Sequence, residues 1–348
     1  MFEPACVQCR WVVGGARKHI KAGGPNWLKI KTELSNYGIA SRGGGRLTLP
    51  GGGPALMKPA SFDYALATSI DEATSYLADG NGEAIVLAGG QTLMPMLSMR
   101  LARPGLVIDI NGIDELFGIE ETDDSVIIKA CTRQVTALHS EIVKSRVPLL
   151  HKAMQFVGHF QTRNRGTIGG SVAHSDPAAE IPLAALALDS EVELRNVNGS
   201  RRVAMADYVV GPLMTAREPD ELLVAVHLPA IVPGVTTATS FHEVSERHGD
   251  FAVVAVAAQL TFDGAICTNA AVAFGGVDDT PVRIPEFEMG LIGQTLAYGV
   301  PDAALDLIAD GINPGSDQHA SADYRRRVAR TLASRAAVAA VTDARGGQ

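Results

Sequence analysis

The stretch Thr162–Ser171, TRNRGTIGGS, carries a glycine pair that a hydroxyl side chain follows at once. A second stretch, Leu87–Pro95 with the sequence LAGGQTLMP, repeats this arrangement after a short apolar run. Only glycine permits both the positive φ angles and the close backbone approach that let several amide N–H groups converge on one anion. A single loop of this kind is usually only a tight turn at the end of a strand. The presence of two such loops makes that structural explanation less sufficient and favours a diphosphate site.

The hydroxyl groups in these loops extend the diphosphate hypothesis. Thr92, Thr167 and Ser171 could each donate a hydrogen bond to a phosphate oxygen. Neither loop has the spacing GxGxxG or GxxxxGK[ST], so the sequence supports neither a Rossmann site nor a P-loop.

Three polar residues follow the second loop. Asp176 precedes Pro177, which is typical of a helix N-cap with proline at the first helical position and predicts a helix over 178–188. A functional interpretation is that His174, Asp176 or Glu180 binds the hydroxyl groups of a sugar or ribityl chain beside the phosphates. The two roles of Asp176 can coexist.

The wider pattern predicts an α/β part followed by an α+β part. Ser69 and Glu72 have the spacing of a capping box, which predicts a helix over 70–79. Short apolar runs predict strands, and a last alanine-rich helix begins at Ser321. This order favours two or three small domains. The predicted strands are 84–88, 106–110, 126–130, 191–197 (turning at Asn198-Gly199), 222–228, 253–262 and 270–274. The last two are predicted to meet across a turn at Asp263-Gly264.

Composition excludes several classes of protein. The chain has 348 residues, 46% of them hydrophobic, and its longest apolar runs are eight residues, too short to span a bilayer. Its net charge of −8 is unfavourable for binding nucleic acid. Four cysteines make no disulfide framework, and no leader pattern opens the sequence, so we expect a cytoplasmic protein.

Residues 1–56 differ from the rest of the chain. They carry eight basic against two acidic residues, a net charge of +6, which leaves −14 for the remainder. They show no apolar periodicity, so we expect a mostly disordered extension. Two explanations stay open: that translation begins at Met57, or that a basic tail docks on an acidic partner.

Other chemistries find little support. Cys6 and Cys9 form an isolated CxxC with no second pair to complete a tetrahedral metal site. The sequence contains neither HExxH nor GxSxG. Cys131 and Cys267 are expected in the core, and Arg325–Arg327 on a solvated helix face. No catalytic or metal-ligating residue is predicted.

At the two loops the chain resembles a known family, the medium, flavin-binding subunits of molybdenum hydroxylases such as aerobic carbon monoxide dehydrogenase and xanthine dehydrogenase. The resemblance covers nearly all of 57–341, and the two loop motifs are its most specific part. Further matching stretches are Met57–Tyr64, Arg100-Leu101, Leu106–Ile110, Arg163–Ser171, Asp176-Pro177, Gly249–Ala252, Gly275–Val277, Thr280-Pro281 and Tyr324-Arg325.

The resemblance implies an α+β fold and an FAD site. An FAD-binding domain of the vanillyl-alcohol-oxidase (PCMH) type, with two α/β subdomains, would span 57–232, and a C-terminal α+β domain would span 233–348. Glu180 matches an acidic position near the ribityl and ribose part, Asp176 the Asp of the bacterial motif, and Leu223 an apolar position against the isoalloxazine ring. The implied FAD-binding residues are Leu87, Ala88, Gly89, Gly90, Gln91, Thr92, Leu93, Met94, Thr167, Ile168, Gly169, Gly170, Ser171, His174, Asp176, Glu180 and Leu223.

One departure from the family pattern concerns the flavin ring. Where members usually place a lysine shortly after an aromatic residue, this chain reads Phe241-His242-Glu243. The resemblance therefore implies no lysine contact to the flavin ring at that point.

The resemblance also implies partner subunits. A two-iron cluster needs four cysteine ligands, and the four cysteines here lack cluster spacing. A small iron–sulfur subunit and a large molybdopterin subunit would therefore carry the other cofactors, in a dimer of heterotrimers, and FAD would pass electrons to an external acceptor. The alternatives are a free-standing FAD-dependent oxidoreductase and a degenerate scaffold subunit that binds no flavin.

Overall fold

The computed structural model describes residues 58–297 and 299–346. The predicted extension 1–56, with Cys6 and Cys9, lies outside the described residues. Within the described part of the chain, no helix combines the length and the apolar character needed to cross a membrane.

The first subdomain is a parallel three-stranded sheet with helices between its strands. Its elements are β1 (Asp63–Leu66), α1 (Ile70–Asp79), β2 (Ala84–Leu87), α2 (Leu93–Ser98) and β3 (Leu106–Asp109). Asp63 and Ala84 both pair with Leu106 in the order β1-β3-β2, so the three strands begin at one level. The Ser69 hydroxyl accepts a hydrogen bond from the Glu72 amide at 3.1 Å, which confirms the predicted start of α1.

The second subdomain is an antiparallel five-stranded sheet covered by short helices. Its elements are a 3-10 helix (Asp114–Leu116), β4 (Ile119–Glu121), β5 (Ser125–Lys129), α3 (Gln134–Leu138), α4 (Glu141–Arg146), α5 (Pro148–Met154), α6 (Phe160–Arg165), α7 (Ile168–His174), α8 (Glu180–Ala187), β6 (Glu191–Asn196), β7 (Gly199–Ala204), α9 (Met205–Tyr208), β8 (Val209–Gly211), β9 (Met214–Thr215) and β10 (Leu222–Pro229). The strand order is β4-β5-β10-β6-β7, and the short pair β8-β9 stands apart. Central β10 is buried from Leu222 to Leu228, as a strand between two others requires.

The predicted helix start at Asp176 is wrong. Helix α8 begins at Glu180, and Asp176 closes a turn before it: its carboxylate accepts from the Ala178 amide at 2.9 Å and its carbonyl from the Ala179 amide at 3.0 Å. A short polar side chain competes for nearby amides in this way whether or not a helix follows. Because every residue of α8 is buried, tertiary packing decides where the helix begins.

The C-terminal domain is an antiparallel four-stranded sheet with helices on one face. Its elements are β11 (Thr236–Ser245), β12 (Ala252–Asp263), β13 (Ile266–Gly275), β14 (Val282–Arg283), α10 (Pro285–Leu291), α11 (Asp302–Asp310) and α12 (Ala322–Gly346). The strands pair in chain order, and the predicted turn at Asp263-Gly264 joins β12 to β13. Helix α12 packs its alanines against β11 and β12. The α+β fold class expected from the sequence is confirmed.

The expectation that Arg325 lies on a solvated helix face is wrong. The side chain is only 8% exposed. Its guanidinium donates to the carbonyl oxygens of Val253 and Gly276 and, at 2.6 Å, to the carboxylate of Asp317. A planar guanidinium with five N–H donors can bind several acceptors at once. Arg325 therefore links α12 to the start of β12 and to the residue after β13.

The two domains meet where the open face of the C-terminal sheet packs against α5 and α8. The Phe241 ring on β11 lies 5.2 Å from the Phe156 ring, centroid to centroid. Phe241 also belongs to the same buried core as Leu183 of α8. The start of α8, which carries Glu180, therefore lies at the boundary between the domains.

Candidate cofactor-binding site

The two glycine loops lie against each other. A Cβ atom on Gly89 would come within 2.5 Å of the Arg165 carbonyl oxygen and 2.9 Å of the Gly166 Cα atom. Real Cβ atoms do not approach backbone so closely, so only glycine allows the chain after β2 to reach the chain before α7. This contact is consistent with the prediction that the two loops belong to one diphosphate site.

The first loop presents a run of unused hydrogen-bond donors. The main-chain amides of residues 89–93 donate to no other described residue. Gly90, at φ +71°, turns the chain within this run. Successive free amides around a residue of positive φ form a concave anion-binding site.

The second loop uses its amides internally. Ile168 and Gly169 donate to the carbonyl oxygens of Thr132 (3.0 Å) and Ala130 (2.9 Å). Gly170 donates to the Thr167 hydroxyl at 3.0 Å. Thr167 is 2% exposed, so its hydroxyl caps helix α7. This loop therefore forms a rigid support under the first loop.

Two residues that the sequence analysis missed join the loops. The Asn111 side-chain amide donates to the Ala88 carbonyl oxygen at 2.8 Å. The Arg133 guanidinium donates to the Asn111 side-chain oxygen at 2.7 Å and to the Arg165 carbonyl oxygen at 2.6 Å. Asn111 and Arg133 are far from both loops in sequence, so no local spacing marks them.

The other predicted ligands follow the second loop. Ser171 and His174 are half-buried on α7, and Asp176 is half-buried in the turn described above. Glu180 is 5% exposed, and burial, with a smaller contribution from the negative charge of Asp176, raises the pKa of its carboxyl to about 7. Leu223 is buried in β10, in the same core as Ile168 beneath α7.

The Phe241-His242-Glu243 segment points its side chains to opposite faces of the sheet. Phe241 and Glu243 face the N-terminal domain, whereas His242 faces α12. Burial first, then the positive charges of Arg335 and Lys152, lower the pKa of His242. Burial and the negative charge of Glu180 raise the pKa of Glu243 to about 8.

A cleft of about 730 Å³ opens between the domains beside Asp176. Arg325 lies in its wall, but its guanidinium is already paired. The negative charge of this wall disfavours phosphate in the cleft. The acidic residues of the lining are Asp176, Glu246, Asp250, Asp278, Asp279 and Asp317. No group of three histidine, cysteine or acidic side chains in the described ranges could hold a metal ion.

Comparison with known proteins finds the same two-part organisation. The family model described as FAD binding domain in molybdopterin dehydrogenase matches residues 60–231, and that of the CO dehydrogenase flavoprotein C-terminal domain matches residues 239–340. The chain is 38% identical to the 6-hydroxypseudooxynicotine dehydrogenase complex subunit alpha of Paenarthrobacter nicotinovorans, over 83% of this chain and 97% of that protein.

Solved structures agree with the sequence comparisons. A chain of carbon monoxide dehydrogenase from Hydrogenophaga pseudoflava superposes with a TM-score of 0.77 at 33% identity, covering 82% of this chain and 99% of that one. A chain of quinoline 2-oxidoreductase from Pseudomonas putida 86 gives 0.76 at 32% identity, with the same coverage.

Proposed function

The chain belongs to the FAD-binding medium subunits of the molybdenum hydroxylases, and from this premise we propose that its two glycine loops form the diphosphate site of FAD. The first loop, Leu87–Met94, binds the diphosphate with its free amides, and the second, Thr167–Ser171, supports it from beneath. The run of free amides at residues 89–93 is the observation that carries the proposal. A diphosphate needs several converging N–H donors, and these amides have no other acceptor among the described residues. The cradle fits the group because glycine leaves it open.

The other proposed contacts to FAD come from residues that follow the second loop in the sequence. In this proposal His174, Asp176 and Glu180 bind the hydroxyl groups of the ribityl and ribose part, since carboxylates and imidazole accept hydrogen bonds from hydroxyl groups. Leu223 belongs to the apolar wall behind the isoalloxazine ring, held by the core under α7.

The task of the chain in this proposal is to bind, orient and shield FAD. FAD supplies the redox chemistry, because it takes up electrons singly and releases them singly or in pairs. The electrons come from iron–sulfur clusters of a small partner subunit, and the substrate is oxidised in a large molybdopterin subunit. We expect an assembly of two heterotrimers and an external electron acceptor.

A cytoplasmic location is part of the proposal. Cys131 and Cys267, the two cysteines in the described part of the chain, are buried free thiols. Burial raises the pKa of both, to about 12 for Cys131. Free thiols suit a reducing compartment.

The test is the visible absorption spectrum of the chain from Met57 onward, with FAD added and then a reductant. Gly90→Asp should abolish flavin binding, because it adds a carboxylate beside the diphosphate. Gly82→Asp is the matched control: Gly82 also has positive φ, +85°, but its Cβ would meet no atom within 4 Å. It should keep full flavin content.

Unchanged flavin in Gly90→Asp would contradict the loop assignment. If the isolated wild-type chain takes up no FAD, the same spectrum on the assembly co-expressed with its partner subunits distinguishes two cases. A reducible flavin there, lost in Gly90→Asp, supports a site completed by the partners. No flavin there supports the scaffold alternative.

A further inference from the structure

Two carboxyl groups, that of buried Glu180 and that of half-buried Glu243, lie at the boundary between the two domains. Glu243 is on the face of β11 that carries Phe241, and that face packs on the core of the N-terminal domain. Glu180 begins α8, which packs against the neighbouring strands β12 and β13 of the same sheet. Both carboxyl groups therefore lie where the two domains meet, and the negative charge of Glu180 raises the pKa of Glu243.

These carboxyl groups lack the partners that buried carboxylates normally have. The Oε2 atom of Glu243 is buried and has no hydrogen-bond partner among the described residues. No side chain or amide of another described residue donates to the Glu180 carboxyl group. Glu288, which is buried like Glu180, shows the usual solution, because Arg283 donates to both of its oxygens.

The charges around the pair do not replace a partner. On the N-terminal side it faces Asp176, a further negative group, and on β11 it faces the Ser245 hydroxyl. His242 and Arg335 lie on the other face of β11, and the ammonium of Lys152 is already bound to the Thr239 carbonyl oxygen and the Asp343 carboxylate. Two carboxylates that are shielded from water without a cation beside them repel each other, so the pair retains a proton near neutral pH. Burial raises the pKa of both groups, to about 7 and about 8.

We propose that Glu243 is a flavin-binding residue which, together with Glu180, presents one shared proton and several acceptor oxygens to the hydroxyl or N–H donors of FAD. The inference rests on the proposed function and deepens it. Glu180 follows the second loop by about ten residues in the segment assigned to the ribityl part, and unpaired oxygens at such a place suit a ligand rich in hydroxyl groups. FAD already brings a negative diphosphate, so a second charge on the pair opposes binding.

FAD affinity is therefore linked to the proton of the pair. The flavin binds best while the pair is protonated, and it binds less well as pH rises through 7 to 8. One linked proton changes the dissociation constant by up to about tenfold per pH unit above the pKa.

The experiment measures the dissociation constant of FAD by flavin fluorescence from pH 6 to pH 9, on the chain or on the co-expressed assembly if only that binds flavin. The affinity of wild type for FAD should fall by about tenfold at the upper end of this pH range. Glu243→Gln keeps the size and the hydrogen-bonding capacity but cannot ionise, so its affinity should stay nearly constant. Glu120→Gln, an exposed carboxyl in β4, should follow wild type.

The outcomes separate this inference from the proposed function. Flavin binding with the same pH slope in wild type and Glu243→Gln overturns the carboxyl pair and leaves the loop assignment intact. Flavin content that survives Gly90→Asp overturns the loop assignment, and with it this inference. A second readout needs no flavin: at pH 9 the apo Glu243→Gln chain should unfold at a higher temperature than wild type, and at pH 5 at nearly the same one. Equal unfolding temperatures at pH 9 would also overturn the pair.

Discussion

The two glycine loops share a sequence pattern but differ in what their backbones do. In the first loop the amides of residues 89–93 are unused, and Gln91 and Thr92 are exposed. In the second, the amides of Ile168, Gly169 and Gly170 are all paired, and Thr167 is buried. The same two glycines followed by a hydroxyl thus make a cradle in one place and its support in the other.

This difference predicts which glycine the fold itself requires. A Cβ on Gly169 would lie 2.6 Å from both Cα and Cβ of Ala130, so Gly169→Ala must displace α7 from the chain that directly follows β5. We expect the free energy of unfolding to fall by about 2–3 kcal/mol, the usual cost of overpacking a rigid contact. Urea unfolding measures it.

The control for Gly169→Ala is a glycine with open space. A Cβ added at Gly315 would have no atom within 4 Å. Gly315→Ala should therefore change the free energy of unfolding by less than about 0.5 kcal/mol. If Gly169→Ala were as stable as Gly315→Ala, the second loop could not be the rigid support described here.

The two threonines provide a smaller and more specific test. Thr167→Ala removes the cap of α7 and should cost about 1 kcal/mol of stability, whereas Thr167→Ser should restore it. FAD affinity of the folded variant should stay close to that of wild type, because Thr167 is buried and its hydroxyl oxygen accepts from the Gly170 amide. A large loss of affinity without a loss of stability would instead place this hydroxyl on the phosphate.

Sequence patterns predicted the features that depend on neighbouring residues. The Ser69 cap, the Asp263-Gly264 turn and the glycine loops each rest on a few consecutive positions. The patterns failed where distant packing decides: α8 begins at Glu180 and not after Asp176, because its whole length is buried. Arg325 is buried for the same kind of reason, since it binds carbonyl groups that lie far away in sequence.

The parts of the site that join distant segments could not be found in this way. Asn111 and Arg133 connect the loops through contacts across more than 20 residues. The pair of Glu180 and Glu243 exists only because two domains meet. The sequence did show the replacement at His242-Glu243, but only the alternation along β11 shows which of the two side chains faces Glu180.

Thr92→Ala should have the smallest effect of these changes, and it tests the first loop as Thr167→Ala tests the second. The Thr92 hydroxyl is exposed and caps no helix, so its loss should alter stability by less than about 0.5 kcal/mol. FAD affinity should fall by about two- to tenfold, the range expected for one lost hydrogen bond to a phosphate oxygen. Titration of the apo chain with FAD measures this, and Thr92→Ser should restore the affinity. Equal FAD affinity in Thr92→Ala and wild type would mean that the Thr92 hydroxyl does not bind the phosphate, and that only the free amides of the first loop do. The contrast between the loops would then rest on their backbones alone.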